Sequence, residues 1–119
     1  MDADGRTPAF LVMCDDAQTA NALVTRITKR LGDIVYAADK SEALRQLAQC
    51  PLDAAVLARQ ADTDAVAAAL GAKGIPFCVL DKGSAAPVTV SAGEVVVSDA
   101  DLVVPTLRAL VARGRKKRA

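Results

Sequence analysis

Several side chains that can do chemistry stand directly after apolar segments, where the strands of a sheet would end. They are Cys14, Asp15, Asp16 and Asp81. Grouped carboxylates are ligands for Mg²⁺ or Ca²⁺, so the three aspartates are weak candidates for a metal site, although no bound metal is expected. A further apolar segment ends in Ala58, which has no functional group. This strand therefore offers no chemistry at its end.

Each of these residues also has an ordinary structural explanation. Asp15 or Asp16 can cap a following helix, because a carboxylate there accepts free backbone N–H groups and suits the positive end of the helix dipole. Asp81 can be a strand-end residue in water. A thiol at a helix N-terminus tends toward a lower pKa, so Cys14 could be a redox sensor, but a buried, inert thiol is the favoured interpretation.

Composition limits the classes of function. The chain has 119 residues, enough for one compact domain, and is 52% hydrophobic with only 3% aromatic residues, which suits an α/β protein. Its net charge of +1 predicts neither a nucleic acid nor a membrane partner for the whole chain. Histidine is absent, which excludes histidine-based acid–base catalysis, histidine-ligated metals and a phosphohistidine within the chain.

The three cysteines, Cys14, Cys50 and Cys78, have neither the spacing of a zinc site nor that of a disulfide framework. We therefore expect reduced thiols in a cytoplasmic protein. No apolar run approaches the roughly 20 residues of a membrane span, and the first residues do not resemble a signal peptide.

The elements that position these residues alternate along the chain. Continuous apolar runs predict buried strands over residues 10–13, 34–38, 54–58, 77–80 and 95–97. Helices are predicted after Asp16, after the capping box Asp39–Glu42, near residues 63–70, capped at Asp62 or Thr63, and from Asp99 or Asp101 onward. Because Pro105 would break the interior of the last helix, we expect that helix to begin late or to bend.

Residues 82–93 interrupt the alternation, because their glycines, proline and β-branched residues make a full helix unfavourable. One interpretation is an irregular crossover between parallel strands. The other is an edge hairpin in which Val88-Thr89-Val90 turns through residues 91–93 into Val95-Val96-Val97. We expect the crossover, since a parallel fifth strand needs a connection of that kind.

The predicted fold is a flavodoxin-like, doubly wound sheet of five parallel strands in the order 2-1-3-4-5, with the fourth helix short or replaced by a loop. Its ligand crevice would lie between the first and third strands. We expect residues 1–8 to be disordered, residues 9–112 to form the domain, and residues 113–119 to form a basic C-terminal tail.

The sequence resembles the receiver domains of bacterial two-component response regulators over roughly residues 9–112. The segments that carry the resemblance are Phe10–Asp16, Pro51–Ala58 and Ile75–Asp81. The family's active site has an acidic pair that holds Mg²⁺, a phosphoacceptor aspartate ending the third strand, a hydroxyl residue ending the fourth and a lysine ending the fifth.

Matched to that pattern, Cys14 and Asp15 stand at the acidic pair, with Asp16 beside them. Ala58 stands at the phosphoacceptor position, and Asp81 replaces the hydroxyl residue. Ser98, or less favourably Asp99, replaces the lysine. Phosphorylation needs a carboxylate nucleophile, a divalent cation and a positive group, none of which these positions supply in full.

The resemblance therefore implies a degenerate, stand-alone pseudo-receiver that acts in signal transduction, without a cofactor or enzymatic activity. Its partner would be another signalling protein or a second copy of the chain, bound without phosphorylation. Alternatives are an atypical receiver phosphorylated on Asp15, Asp16, Asp53 or Asp81, and a small-ligand binder that uses the same crevice.

Partner contact is expected from the last helix and the basic tail. The candidate residues are Leu102, Val103, Leu107, Arg108, Arg113, Arg115, Lys116, Lys117 and Arg118. The tail is otherwise a solvated chain end; contact with nucleic acid or an anionic membrane surface is a less favoured alternative.

Overall fold

The structure, a computed structural model, describes residues 8–60, 63–83, 86–91 and 94–118; for residues 91 and 113–118 it describes the backbone. The predicted disordered segment, apart from Pro8, and the candidate cap Asp62 lie outside the described residues. The strands are β1 (Ala9–Met13), β2 (Asp33–Ala37), β3 (Ala54–Ala58), β4 (Phe77–Leu80), β5 (Val88–Ser91) and β6 (Glu94–Val97). The helices are α1 (Ala17–Arg30), α2 (Lys40–Gln49), α3 (Thr63–Ala72) and α4 (Val103–Arg118), with a 3₁₀ turn at Ala100–Leu102 before α4.

The six strands form one sheet in the order β2-β1-β3-β4-β6-β5. Every pairing from β2 to β6 is parallel, and β5 alone is antiparallel. The predicted α/β class and doubly wound arrangement are confirmed. The predicted strand count is wrong by one, because a sixth strand lies at the edge beyond the predicted fifth.

Residues 82–93 account for that difference. Within the described residues, Val88–Ser91 pairs with Glu94–Val97 as an antiparallel hairpin, so the expectation of an irregular crossover is wrong. The hairpin follows from the β-branched valines and threonine, which favour extended backbone, and from their apolar partners in β6. Strand β5 thus lies between β4 and β6 in the chain, where the sequence predicted a short fourth helix or a loop.

Two helices cover each face of the sheet, and each face has its own apolar core. One core joins α1 and α4 to side chains that include Phe10, Val56 and Val97. The other joins α2 and α3 to side chains that include Leu11 and Leu57. Successive residues of a strand point to opposite faces, which is why the central strands are apolar throughout.

The helix ends follow the capping rules closely. Asp16 caps α1 by accepting a hydrogen bond from the N–H of Thr19, and Asp39 caps α2 through the N–H of Glu42. The side chain of Glu42 contacts Arg45 and Gln46. Helix α4 begins at Val103, which places Pro105 in the first turn, where no intrahelical N–H is needed. The expectation of a late start for this helix is confirmed.

Candidate functional site

A crevice of about 320 Å³ opens where the carboxyl ends of β1, β3 and β4 meet. In doubly wound sheets, ligand sites lie at the carboxyl ends of the strands. The residues that line it are Cys14, Asp15, Asp16, Thr19, Ala58, Arg59, Leu80, Asp81, Lys82 and Gly83. Five of the six predicted pocket residues are therefore brought together; Ser98, at the end of β6, is outside this lining set.

The end of β3 contributes the methyl group of Ala58, which is 9% exposed and packs with Cys14 and Ala20. Its carbonyl oxygen accepts a hydrogen bond of 2.8 Å from the hydroxyl of Thr63, the first residue of α3. The same hydroxyl accepts a bond from the N–H of Gln60. A buried threonine therefore ties the first residue of α3 to the end of β3 and holds Ala58 at the crevice.

The end of β1 is held from two sides. The side-chain oxygen of Gln60 accepts a hydrogen bond from the N–H of Asp15, and the Tyr36 hydroxyl donates to the carbonyl oxygen of Cys14 at 2.7 Å. The Cys14 thiol is buried and lies 3.4 Å from the carbonyl oxygen of Asp16. Burial raises the pKa of this thiol, which opposes the reactive thiolate of a redox sensor.

Asp16 is committed to helix α1. Its carboxylate accepts hydrogen bonds from both the hydroxyl and the N–H of Thr19. These bonds hold the pKa of Asp16 below its ordinary value, because they stabilise the charged carboxylate. The capping interpretation of Asp16 is thus confirmed, whereas the Asp15 carboxylate remains exposed at the crevice.

Two cations that the sequence patterns missed also line the crevice. Lys82 donates from Nζ to Oγ1 of Thr19 over 2.9 Å, and Arg59 approaches the carboxylate of Asp81 at 3.5 Å. An ammonium therefore reaches this edge from the turn after β4, although Ser98 supplies none after β6. Arg59 directly follows β3, and Lys82 is the second residue after β4. A search of the two residues after each strand would have found both.

Arg59 pairs with acidic residues from three elements. Its guanidinium lies 3.7 Å from Asp64 in α3, 3.5 Å from Asp81 after β4, and 3.2 Å from Glu94 at the start of β6. Asp81 also accepts a hydrogen bond of 3.0 Å from the N–H of Gly83. The strand-end carboxylate of Asp81 is therefore partly exposed and is also paired with Arg59 and with the N–H of Gly83.

The described acidic residues are spread over the strand ends and helix starts. Across the described ranges, no group of three or more acidic or cysteine side chains is arranged to hold a metal ion. Asp53, the remaining candidate acceptor, lies before the first residue of β3, where its carboxylate accepts a bond of 2.8 Å from the N–H of Ala9. This is the amino-terminal end of β3, whereas the crevice lies at the carboxyl ends of the strands.

The predicted contact surface of α4 is largely interior. Val103 and Leu107 are completely buried in the core between α4 and the sheet, and Leu102 packs against that core. Val103 and Leu107 are therefore not available to a partner, whereas Leu102 is partly exposed and Arg108 is exposed. The backbone of residues 113–118 continues α4, while the side chains of the predicted basic contacts there lie outside the described part of the chain. Within the described residues, no helix is long and apolar enough to cross a membrane.

Comparison with solved structures identifies the fold. The chain is similar to the receiver domain of response regulator 1452 from Francisella, with a TM-score of 0.73 and 20% sequence identity, over 90% of this chain and 98% of that one. Neither a protein-family model nor a curated protein sequence matches the chain. The structural likeness confirms the resemblance at the level of the fold.

Proposed function

We propose that this chain is a pseudo-receiver that acts in signal transduction by binding another signalling protein or a second copy of itself, independently of phosphorylation. The proposal assigns it no enzymatic activity. The observation that carries it is the position of Ala58. Its methyl group lines the crevice at the end of β3, where the resembled domains carry the phosphoacceptor aspartate.

The chemistry of the crevice supports this proposal. An acyl phosphate forms when a carboxylate oxygen attacks phosphorus, and a methyl group has no electron pair to donate. Asp16 and Asp81 are engaged by Thr19 and by Arg59. Lys82 could offset developing negative charge, but an ammonium cannot replace the nucleophile.

The test is exposure of the purified chain to acetyl phosphate with Mg²⁺, followed by intact-mass measurement. We expect no added phosphoryl group, while a receiver domain with the full set of active-site residues, treated in parallel, gains one. The same pair of proteins is then compared for beryllofluoride binding by fluorine NMR. Mass gained on an aspartate of this chain would contradict the proposal.

Lys82 favours one second candidate, an atypical phosphoacceptor that uses Asp15. The Asp15 carboxylate is exposed at the crevice that the Lys82 ammonium also lines. Peptide mapping would then find the phosphoryl group on Asp15, and Asp15→Asn would abolish it while Asp53→Asn, altered at the opposite sheet edge, would retain it. Labelling that survives Asp15→Asn rules this candidate out.

A further inference from the structure

Strand β5 forms one edge of the sheet, and no other strand of the described residues pairs with its outer side. It is last in the strand order and pairs with β6 alone among the described strands. Its residues Val88 and Val90 are 47% and 70% exposed, although both are apolar. Val88–Ser91 contains no charged residue, whereas natural edge strands are commonly protected by charges, prolines or bulges.

The pairing with β6 determines which backbone groups face outward. The N–H of Ser98 donates to the carbonyl of Pro87 at 3.0 Å, so this opposed pair is of the hydrogen-bonded type. Such pairs alternate along an antiparallel ladder, so Thr89 bonds to β6. The N–H and C=O groups of Val88 and Val90 consequently point away from the sheet. Pro87 offers no protection there, because its missing N–H would have pointed toward β6.

The side chains of the two valines lie on one face. Val88 is opposite Val97 and Val90 is opposite Val95, and opposed residues share a face of the sheet. Val95 and Val97 pack with the core under α1 and α4. The valines therefore extend that apolar face past the last covered strand.

We propose that β5 pairs antiparallel with β5 of a second copy of this chain, about a twofold axis through Thr89. In this register Val88 of each copy lies opposite Val90 of the other, so that four valines meet on one face. Their outward N–H and C=O groups exchange four hydrogen bonds. Thr89 lies opposite its own symmetry mate as a non-hydrogen-bonded pair, in which side chains approach more closely.

The strand is self-complementary, which is why we assign it a second copy. A twofold axis perpendicular to the sheet places the same face of both copies on one side. Two residues that oppose each other must therefore both have odd numbers or both have even numbers. The register centred on Thr89 meets that condition, and it uses the backbone groups that β6 leaves unpaired. Because the strand is uncharged, the two copies bring no like charges together. One strand from each copy makes a small interface, so we expect a weak dimer.

This inference names one partner for the proposed function and rests on it for its biological meaning. The measurement is sedimentation equilibrium of the full chain from about 10 µM to about 1 mM, which covers weak association. We expect the average mass to rise from one chain toward two. Val90→Lys should keep the mass at one chain, while Asn21→Lys, with the same added charge on an exposed position of α1, should associate like the unaltered chain.

Cysteine cross-linking tests the register in a Cys50→Ser background. Thr89→Cys should form an intermolecular disulfide on mild oxidation much faster than Val90→Cys, whose symmetry mate is diagonal to it rather than opposite. One-chain mass at every concentration, association that survives Val90→Lys, or equal cross-linking of the two cysteine variants would overturn the proposal. If Val90→Lys does not fold, the cross-linking comparison decides. Because neither experiment measures phosphorylation, this inference and the pseudo-receiver proposal can fail separately.

Discussion

The Nζ of Lys82 lies 2.9 Å from Oγ1 of Thr19, which joins the turn after β4 to the first turn of α1. Thr19 in turn donates its hydroxyl to Asp16, so a cation, a hydroxyl and a carboxylate form one chain of hydrogen bonds at the crevice. Lys82 and Asp16 follow strands β4 and β1, and Thr19 lies on α1, the helix that Asp16 caps. The crevice wall is therefore held by side chains as well as by the sheet.

Removal of the Asp16 carboxylate should destabilise the fold in a pH-dependent manner. Hydrogen bonds from Thr19 lower the pKa of Asp16 in the folded chain, so the stabilisation is present above the ordinary pKa of an aspartate and is lost as the pH falls through the lowered value. We expect Asp16→Ala to reduce the melting temperature at pH 7, and the difference from the unaltered chain to shrink in acid. Asp15→Ala, at an exposed neighbour, is the control. A difference that stays constant between neutral and acidic pH would contradict this expectation.

Loss of the Thr63 hydroxyl should be costly, because this side chain is 1% exposed and bonds both to the carbonyl of Ala58 and to the N–H of Gln60. Thr63→Val keeps the shape and leaves two polar groups unpaired, which typically costs about 1–3 kcal/mol for each buried group. Urea unfolding measures the change. Thr63→Ser retains the hydroxyl and should lose much less; equal loss in the two variants would show that the bonds do not stabilise the turn.

The three cysteines should differ in reactivity. Burial raises the pKa of the Cys14 thiol and raises that of Cys78 to about 12, whereas Cys50 is only partly buried. With iodoacetamide at pH 8, mass spectrometry should find Cys50 modified first, and the other two modified only after unfolding. Rapid native modification of Cys14 would instead support a reactive thiol.

The sign of the cysteine effect on stability follows from the same shifts. A folded-state pKa that is raised gives stability that is fully present below the unfolded thiol's pKa and is lost as the pH rises through the folded value. For Cys78, the pH range over which this stability is lost extends upward to the folded-state pKa of about 12. Cys78→Ala should therefore flatten the alkaline part of the stability curve; an unchanged slope above pH ~9 would contradict this.

Two neighbours on α4 should behave differently. Leu107 is completely buried, so Leu107→Ala should lower the free energy of unfolding by about 2–5 kcal/mol. Arg108 is exposed, and Arg108→Ala should change it by about 0.5 kcal/mol or less. Calorimetric or denaturant unfolding would measure both. A surface role for Leu107 would be indicated if its substitution left stability unchanged.

Much of the fold could be predicted from the sequence because the buried strands are continuous apolar runs. The run 54–58 gives β3 without error, and the pair Asp15 and Asp16 indicates where α1 starts. Pro105 indicates the late start of α4, whereas the starts proposed at Asp99 or Asp101 fall at the 3₁₀ turn before it. The hairpin does not follow from local sequence, since Val88-Thr89-Val90 has the same preference for extended backbone in a crossover as in an edge strand. Only the tertiary pairing with β6 distinguishes the two.

The candidate site was predicted where it depends on backbone position, as for Ala58 and Asp81. It was missed where long side chains determine the contacts. Lys82 and Arg59 have several flexible bonds, so their sequence positions do not reveal that one reaches Thr19 and the other Glu94. The helical spacing of the apolar residues in α4 indicates burial of Leu107, as observed. Its expectation as a partner contact came from the resemblance, since the last helix of receiver domains commonly forms contacts.

The Arg59 guanidinium contacts both the rim of the crevice and the start of β6. One end of its network lies at the rim of the crevice through Asp81, and the other at the first residue of β6, the strand that carries the outer hairpin. Both contacts are made by the same guanidinium, so they depend on one side chain. Substitution of this one residue would therefore remove a contact at the crevice and a contact at the hairpin together.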